Sequence, residues 1–338
     1  MKTCNLCLVG FGNVGRALLR LLHEKSEGMR REHGVEWRLT GIATRRLGWM
    51  ANAAGLDTHA LLEGRAFAHT KCGDVSEWLG AAQAEVLLEA SSLSKRDGQP
   101  AIDYIRAALE HGAHAVSANK GPIVYAYDEL RALARANKRR FLFESTVMDG
   151  APVFNLFRET LPVADLRGFR GLLNSTTNVV LAEMEAGRTL EEAVKRAQEI
   201  GVAETDPTDD LEGWDAAVKV VALARVLMGV ALRLDQVQRA GIATLTPEQV
   251  REARAAGRPY KLICRAERTS DGAAKASVRP EQIPLADPLA SLTGATSCLH
   301  FDLDVFGLTL IEHKPGVVAT AYGLLTDFLR AAREPVEP

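Results

Sequence analysis

Apolar runs of strand length alternate with amphipathic helical patterns along the first half of the chain. The apolar runs lie at residues 6–9, 37–43, 85–90, 113–117 and 140–144. The helical patterns between them lie at residues 16–23, 101–111 and 128–136. Because strands that alternate with helices usually pair in parallel, this half predicts an α/β fold with a Rossmann-type, doubly wound parallel sheet.

The pattern changes after residue 150. Strand-like segments lie at residues 166–173, 260–267, 274–279, 297–304 and 308–312, and helical patterns at 179–185, 190–200 and 320–332. Helices grouped beside a separate set of strands are typical of an α+β domain with a mixed sheet, and an uncovered sheet edge or face is commonly completed by a second subunit. We therefore expect a first domain at 1–150, a substrate and dimerisation domain at 151–312, and a C-terminal helix at 313–338 that returns to the first domain.

A glycine-rich turn directly follows the first predicted strand. Its residues are Gly10, Phe11, Gly12, Asn13, Val14 and Gly15. In such a turn the first glycine permits the bend, the second lets the backbone approach a pyrophosphate, and the third allows the helix to pack closely on the strand. Strand, turn and helix together predict a dinucleotide-binding domain at 1–150. The alternative is a glycine-rich turn that binds nothing.

Three strand ends carry polar residues that are candidates for the same site. Ligands of doubly wound sheets collect at the carboxyl ends of the strands. The residues at these ends are Thr44, Arg45 and Arg46, then Ser91 and Ser92, and finally Lys120, which lies beside Gly121 and Pro122. Two guanidiniums suit the 2′-phosphate of NADP better than the ribose hydroxyl of NAD, so we favour NADP and keep NAD open. Surface arginines and a solvated loop lysine are the alternatives.

The second half contains a cluster of charged residues just before an apolar helix pattern at 218–232. The cluster consists of Glu204, Asp206, Asp209, Asp210, Glu212, Asp215 and Lys219. Asp209 and Glu212 have the spacing of a capping box, and Asp215 and Lys219 lie one helical turn apart on one face, with Glu212 on the same side. We predict that Lys219 is an acid/base amine oriented by Asp215. The alternative is an ordinary ion pair on a solvated face.

Composition limits the remaining classes. The chain has 338 residues, of which 47% are apolar, and its 41 basic residues nearly balance its 43 acidic ones. Two domains are expected at this length, and the balanced charge indicates neither a nucleic-acid nor a membrane partner. The apolar N-terminal run is too short for a signal peptide, so we expect a cytoplasmic protein. Cys4 and Cys7 could form a metal or redox pair, but we expect small buried side chains in the first strand.

The motifs together resemble those of the homoserine dehydrogenase family over most of the chain. The matching segments are 10–15, 118–120, 174–178 and 204–219, in the family's order and approximate spacing. The resemblance implies reversible, NAD(P)-dependent interconversion of L-aspartate 4-semialdehyde and L-homoserine, on the route to threonine, isoleucine and methionine. It also implies a homodimer.

The resemblance assigns roles to individual residues. Lys219 and Lys120 correspond to the catalytic amines, and Glu204 and Asp215 to residues that bind the substrate amine and hydroxyl. Further substrate contacts correspond to Asp210 and Thr176, and a glycine over the cofactor to Gly316. The family also holds a structural monovalent cation such as sodium, and the matching main-chain carbonyls belong to Glu144, Val147, Asp149 and Ala151.

Three segments depart from the family's pattern. Ser175 stands where glycine is common, the turn at 312–316 is bulky and charged, and the stretch at 144–151 has less glycine. The chain ends soon after the last helical pattern, so we expect no C-terminal regulatory domain. Two alternatives therefore stay open, which are a dehydrogenase of another short amino alcohol and a non-catalytic dinucleotide sensor.

Overall fold

The computed structural model describes residues 2–94 and 96–333. The chain forms two compact units. Unit 1 runs to Val153 and resumes at Gly316, and unit 2 comprises Phe154–Pro315.

The helices and strands of the described residues are numbered in chain order. The strands are β1 (Lys2–Val9), β2 (Val35–Thr44), β3 (Gly48–Ala51), β4 (Thr70–Cys72), β5 (Val86–Glu89), β6 (His114–Ser117), β7 (Phe141–Leu142), β8 (Leu166–Leu172), β9 (Gln238–Arg239), β10 (Tyr260–Arg268), β11 (Ala274–Gln282), β12 (Ser297–Leu303) and β13 (Gly307–Glu312). The α-helices are α1 (Asn13–His33), α2 (Thr58–Glu63), α3 (Val75–Ala81), α4 (Ala101–His111), α5 (Gly121–Ala136), α6 (Val153–Asn155), α7 (Ser175–Glu185), α8 (Leu190–Glu199), α9 (Thr208–Leu211), α10 (Trp214–Leu227), α11 (Pro247–Ala255) and α12 (Val317–Arg333). Short 3-10 turns lie at Glu144–Thr146, Leu234–Gln236 and Pro288–Ser291, and a π-helical turn lies at Leu156–Thr160.

Unit 1 is built on a sheet with the strand order β4-β3-β2-β1-β5-β6-β7. Neighbouring strands pair in parallel across the series β2, β1, β5, β6 and β7. Strands β3 and β4 extend the β2 edge and pair antiparallel. The chain passes from β1 to β2 on one side and later to β5 on the other, which places a topological switch point at the end of β1. The predicted Rossmann-type sheet is therefore confirmed, whereas β3 and β4 were not predicted.

Helix α12 belongs to unit 1 and packs against α1. Its buried Leu324 and Phe328 share a core with Leu18 of α1 and with Leu6 and Leu8 of β1. Burial of this apolar stripe holds the last helix on the sheet that the first strand opens.

Unit 2 contains a second sheet with the strand order β13-β12-β8-β10-β11-β9. Its pairs are antiparallel except for the parallel pair of β9 with β11, and helices α7, α10 and α11 pack on it. Asn174 caps α7 by accepting from the Thr177 backbone N–H, and Thr189 and Glu192 form a capping box at the start of α8. The predicted mixed sheet is confirmed.

Two predicted elements of unit 1 have different bounds. The helix expected at 128–136 begins at Gly121, and non-helical Ala126 (φ −140°) separates its first turn from the regular part. The strand expected at 140–144 ends at Leu142, because the Glu144 backbone N–H turns to donate to Asp327 Oδ2 at 2.7 Å.

The predicted capping box of the apolar helix in unit 2 is wrong. Residues 208–211 form the separate short helix α9, and α10 begins only at Trp214. Gly213 is the N-cap residue of α10 with φ +80°, and no side chain caps this helix. A left-handed glycine breaks the helix between Asp209 and Asp215, so Asp209 and Glu212 cannot act as its cap.

Candidate active site

The three glycines of the turn in unit 1 differ in the space that surrounds them. Gly10 has φ +89°, and a Cβ there would lie 2.3 Å from the Ala90 carbonyl oxygen. A Cβ on Gly15 would lie 2.4 Å from the Gly10 carbonyl oxygen. A Cβ on Gly12 would meet nothing within 4 Å. The fold itself therefore requires glycine at positions 10 and 15, while Gly12 leaves open space beside the first turn of α1, where a pyrophosphate fits.

A cleft of about 980 Å³ lies outside the carboxyl ends of β1, β2 and β5 in unit 1. The predicted cofactor residues that line it are Gly10, Phe11, Gly12, Thr44, Arg45, Arg46, Ser91 and Ser92. The other predicted cofactor residues, which are Asn13, Val14, Gly15, Lys120 and Gly316, are not among its lining residues. A cleft at a topological switch point with a glycine-rich turn fits a dinucleotide.

The arginines of the cleft lie on a β-hairpin. Thr44 ends β2, and Arg45 and Arg46 are exposed in the turn that leads to β3, where Thr44 Oγ1 accepts from the Leu47 backbone N–H at 2.9 Å. Arg16 and Arg65 also line the cleft and were not predicted. The described lining residues include no Asp or Glu, so the wall of this cleft is basic.

A fully buried carboxylate supports the loops beside the cleft. Glu89, at the end of β5, accepts from the Ser91 backbone N–H at 2.8 Å, from Ser91 Oγ at 2.5 Å and from Ser117 Oγ at 2.6 Å. Burial raises the pKa of the Glu89 carboxyl, and the bonds from Ser117 and Ser91 act in the opposite direction. The Asn119 side chain continues the network, because its Oδ1 accepts from the Gly121 backbone N–H at 2.9 Å. Sequence reasoning missed Glu89, although a charged residue in an otherwise apolar strand was a usable signal.

Lys120 is the next residue in the chain after Asn119, a member of this network. It is half-buried and forms the N-cap position of α5, with Gly121 and Pro122 in the first turn. Its backbone carbonyl accepts from the N–H groups of Ile123 and Val124. The Glu89 network therefore fixes the backbone that presents Lys120.

The stretch predicted to hold a cation is a tight loop on the N-terminus of α12. Asp149 has φ +40°, and its carboxylate accepts from the Gly316 backbone N–H at 2.6 Å and from Thr320 Oγ1 at 2.9 Å. The Ala151 carbonyl accepts from the Val153 backbone N–H at 2.8 Å. Val147 and Glu144 are buried. Gly316 thus serves as an anchor of α12, and the carboxylate of Asp149 binds that helix.

The charged cluster of unit 2 is centred on Lys219. Its Nζ donates to the Leu173 carbonyl at 2.6 Å and lies 2.9 Å from Asp215 Oδ2. The two side chains are only 16% and 21% exposed, so this i,i+4 pair does not lie on a fully solvated face. An ammonium that is held at two acceptors and largely withdrawn from water is suited to proton transfer.

Asn174 connects this pair to a second carboxylate. Its Nδ2 donates to Asp215 Oδ2 at 3.2 Å and to Asp210 Oδ1 at 2.7 Å. Thr176 is buried in the first turn of α7, where its hydroxyl donates to the Val202 carbonyl at 3.3 Å. Asp210, Asp215 and Lys219 are thus brought together, and Asn174 is the link that sequence reasoning did not single out.

Two acidic residues of the predicted cluster lie apart from it. Glu204 is exposed, and its backbone carbonyl accepts from Gln198 Nε2 at 3.1 Å. Among the described residues, its carboxylate bonds to none of Asp210, Asp215 and Lys219. Glu212 is also exposed, and its Oε2 accepts from Trp214 Nε1 at 3.0 Å. The expectation that Glu212 shares the face of Asp215 and Lys219 is wrong, because Gly213 turns the chain between them.

The buried cysteines, the arrangement of possible metal ligands and the length of the helices add little to the site. Cys4 and Cys7 are fully buried in β1, as expected for small apolar side chains, and burial raises the pKa of both thiols. In the described part of the chain, no group of three or more His, Cys, Asp or Glu side chains is placed to hold a metal. None of its helices is both long and apolar enough to cross a membrane.

A basic dinucleotide cleft in unit 1 and a lysine–carboxylate cluster in unit 2 define the class as a nicotinamide-dependent oxidoreductase. Residues 10–144 match the family model described as homoserine dehydrogenase, NAD binding domain, and residues 152–329 match the model described as homoserine dehydrogenase. The chain belongs to the homoserine dehydrogenase family.

Individual relatives agree with this assignment. The chain is 38% identical to the NAD(+)-dependent homoserine dehydrogenase of Pseudomonas canavaninivorans, over 97% of this chain and 96% of that protein. A putative homoserine dehydrogenase from Archaeoglobus fulgidus has a similar crystal structure, with a TM-score of 0.85 and 29% identity over 99% of this chain and all of that one. A hyperthermophilic archaeal homoserine dehydrogenase solved in complex with NADPH gives a TM-score of 0.82 at 26% identity, over 99% of this chain and 100% of that one. The chain is thus an oxidoreductase that acts on homoserine. The family assignment favours this activity over the two alternatives, which were a dehydrogenase of another short amino alcohol and a non-catalytic sensor.

Proposed function

We propose that Lys219 handles the proton when the enzyme interconverts L-homoserine and L-aspartate 4-semialdehyde, and that Asp215 orients it. The observation that carries this proposal is the 2.9 Å contact between Lys219 Nζ and Asp215 Oδ2 in a largely buried setting. Asn174 donates to the same Asp215 oxygen and so fixes the carboxylate as well.

The chemistry requires a donor where negative charge develops. A bound nicotinamide dinucleotide supplies or accepts the hydride. During aldehyde reduction the oxygen of the substrate becomes negative, and the Lys219 ammonium donates a hydrogen bond and then the proton to it. During alcohol oxidation the same amine takes the proton of the hydroxyl. Asp215 and the Leu173 carbonyl hold the amine through both directions.

The remaining roles are assigned from the resemblance and the local setting. Glu204 and Asp215 bind the amine and hydroxyl of the substrate, and Asp210 is a further substrate contact. The segment around Thr176 offers donors to the substrate carboxylate. Lys120 serves as the second amine. Its fixed position at the N-terminus of α5 supports a defined role for it.

The decisive experiment is NADP⁺ reduction by L-homoserine with purified enzyme. Lys219→Met should lower kcat by about 10³-fold, since it removes both the proton donor and the charge that stabilises the oxyanion. Lys195→Met, at an exposed position of α8, is the matched control and should keep wild-type rates. A Lys219→Met enzyme with normal turnover would exclude the proposed role, and faster turnover of a homologous amino alcohol would point to a different substrate.

We propose NADP as the preferred cofactor and keep NAD as the alternative. Arg45, Arg46, Arg16 and Arg65 line the cleft, and its described lining includes no carboxylate for a ribose diol. One similar relative is named NAD(+)-dependent and another was solved with NADPH, so relatives do not decide the preference.

The ratio of kcat/KM for NADP⁺ to that for NAD⁺ tests this preference. Arg46→Ala should lower the ratio about 10- to 100-fold, because a lost charge-assisted bond to phosphate is worth about 1.5–3 kcal/mol. Arg20→Ala, at an exposed position of α1 outside the cleft, should leave it unchanged. Equal kcat/KM values of the wild-type enzyme for the two cofactors would contradict the proposed preference for NADP.

A homodimer, a cytoplasmic location and a biosynthetic route to threonine, methionine and isoleucine are further proposals from the resemblance. The dimer is supported by exposed apolar residues of unit 2 near the edge strand β13, which include Val305, Phe306 and Ile311. Light scattering after size exclusion measures the mass directly, and a monomer at micromolar concentration would refute the dimer.

The structural cation is also a proposal. Glu144, Val147, Asp149 and Ala151 would hold sodium through main-chain carbonyls in the loop that α12 fixes. Thermal unfolding in sodium chloride and in tetramethylammonium chloride at equal ionic strength tests it. A higher Tm in sodium is expected, and equal values would count against a bound ion.

A further inference from the structure

A short segment of unit 2 lies against the turn that separates the two substrate-site carboxylates. This segment consists of β9 and residues 240–242. Arg239 pairs with Val278 of β11, and the Ala240 backbone N–H donates to the Val278 carbonyl at 2.8 Å. The segment is therefore anchored on the six-stranded sheet.

The backbone of this segment approaches the turn closely. The Ile242 N–H donates to the Leu211 carbonyl at 2.8 Å. A Cβ on Gly241 would lie 2.1 Å from that same carbonyl oxygen and 2.4 Å from Glu212 Cα. Only glycine permits this approach, so residues 241 and 242 fix the end of α9 without any side chain.

Arg239 adds side-chain contacts to the same turn. Its guanidinium lies 3.6 Å from the centroid of the Trp214 ring, and its Nη1 donates to the Glu212 carbonyl. Trp214 Nε1 in turn donates to Glu212 Oε2 at 3.0 Å. Arg239 thus binds both residues that flank Gly213 and restrains the left-handed turn between them.

This turn determines where the two carboxylates lie. Asp210 is in α9, before the turn, and Asp215 is the second residue of α10, after it. Because α10 has no side-chain cap, contacts to Glu212 and Trp214 fix the direction in which it starts. The spacing between Asp210 and Asp215 is the distance that Asn174 bridges.

We propose that Arg239 is a positioning residue for the substrate site, which acts through Trp214 and Glu212 to fix the spacing of Asp210 and Asp215. This spacing makes the enzyme selective for the length of the amino alcohol. The inference rests on the substrate roles proposed for Asp210 and Asp215.

The test compares Arg239→Met with Arg239→Lys and with the matched control Arg233→Met. Arg233 lies six positions before Arg239, is exposed, and pairs with Asp235. Its substitution should leave all constants unchanged. Arg239→Met should raise the KM for L-homoserine about tenfold, which corresponds to loss of one charge-assisted bond, while the cofactor KM stays constant. The preference for L-homoserine over the amino alcohol with one more methylene should fall by a similar factor. Arg239→Lys keeps a cation over the ring and should recover part of the loss.

The outcomes separate this inference from the proposed function. If Asp215→Asn loses activity while Arg239→Met keeps wild-type KM and selectivity, the inference is wrong and the proposed site stands. If Asp215→Asn is fully active, the proposed site fails and the inference falls with it. A uniform rise in the KM of substrate and cofactor with a lower Tm would show a structural role only and would also overturn it. Trp214→Leu removes the ring on which the Arg239 guanidinium stacks and supplies the same readout should Arg239→Met not fold.

Discussion

The cofactor end of unit 1 and the charged cluster of unit 2 are built in different ways. In unit 1 the space for the ligand exists because glycine has no side chain, as at Gly12. The tight turn itself is possible because Gly10 and Gly15 leave room for neighbouring backbone atoms. In unit 2 the site consists of side chains that hold one another, with Asn174 joining Asp210 and Asp215 and with Lys219 joining Asp215. A glycine spacing is a local signal, whereas the bonds of Asn174 and Lys219 span 36 to 46 positions of sequence.

Removal of one charge should harm the unit 2 site most. Asp215→Asn keeps the shape of the side chain but removes the negative charge that lies 2.9 Å from Lys219 Nζ, and it changes the bond from Asn174. We expect kcat to fall about 10²-fold or more while the dissociation constant of the cofactor is unchanged. Steady-state kinetics and cofactor titration by fluorescence measure the two quantities. A parallel loss of cofactor binding would show that the two sites are not separable in this way.

Alanine substitutions at the glycines should separate ligand space from fold in unit 1. Gly12→Ala meets no protein atom within 4 Å, so the variant should fold normally and lose about tenfold or more in cofactor affinity. Gly15→Ala places its Cβ 2.4 Å from a backbone oxygen, so it should lower the free energy of unfolding by about 2 kcal/mol or more. Urea unfolding and cofactor titration of both variants provide the check. A stable Gly15→Ala variant would contradict the packing argument.

Loss of the buried carboxylate should have a smaller effect. Glu89→Gln places an amide donor where the hydroxyls of Ser117 and Ser91 now donate, which disturbs the loops beside the cleft and the start of α5. We expect the cofactor KM to rise about five- to tenfold, since one bond to a carboxylate is lost. The control is Glu110→Gln, at an exposed position of α4. Unchanged kinetics would show that the network only fills space.

The smallest effect near neutral pH concerns the stability of unit 1, because this effect develops only as the pH falls. Burial lowers the pKa of His114 from 6.5 to about 4, with Arg139 contributing next, and its Nδ1 accepts from the Arg140 backbone N–H at 3.0 Å. The stability that depends on neutral His114 is fully present above pH 6.5 and is lost as the pH falls toward 4. His114→Asn should therefore reduce the pH dependence of the free energy of unfolding over this range. The reduction is at most about 1.4 kcal/mol per pH unit for a single proton. Urea unfolding at a series of pH values measures it, and identical slopes would exclude His114 as the source.

The fold could be predicted where the signal was long and local. Helix α4 has the predicted bounds, and the strands of the parallel sheet were found because they are predominantly apolar. Strands β3 and β4 have four and three residues, and β4, which reads Thr-Lys-Cys, shows no apolar run. The start of α5 was missed, and the non-helical Ala126 separates this first turn from the part that was predicted.

The site could be predicted in part for the same reason. Asp215 and Lys219 lie one turn apart, so helical spacing alone brought them together. Arg239 reaches Glu212 across 27 positions, and Gly213 redirects α10 in a way that the capping pattern did not indicate. Contacts that depend on how distant strands and turns pack have no short sequence pattern to reveal them.

The interruption of unit 1 has a consequence for synthesis on the ribosome. The chain leaves unit 1 at Val153 and returns at Gly316, and Asp149 binds the Gly316 backbone N–H where the two segments meet. Leu324 and Phe328 complete the apolar core that β1 begins. A nascent chain therefore exposes part of that core until α12 emerges, whereas the segments of unit 2 are contiguous in sequence.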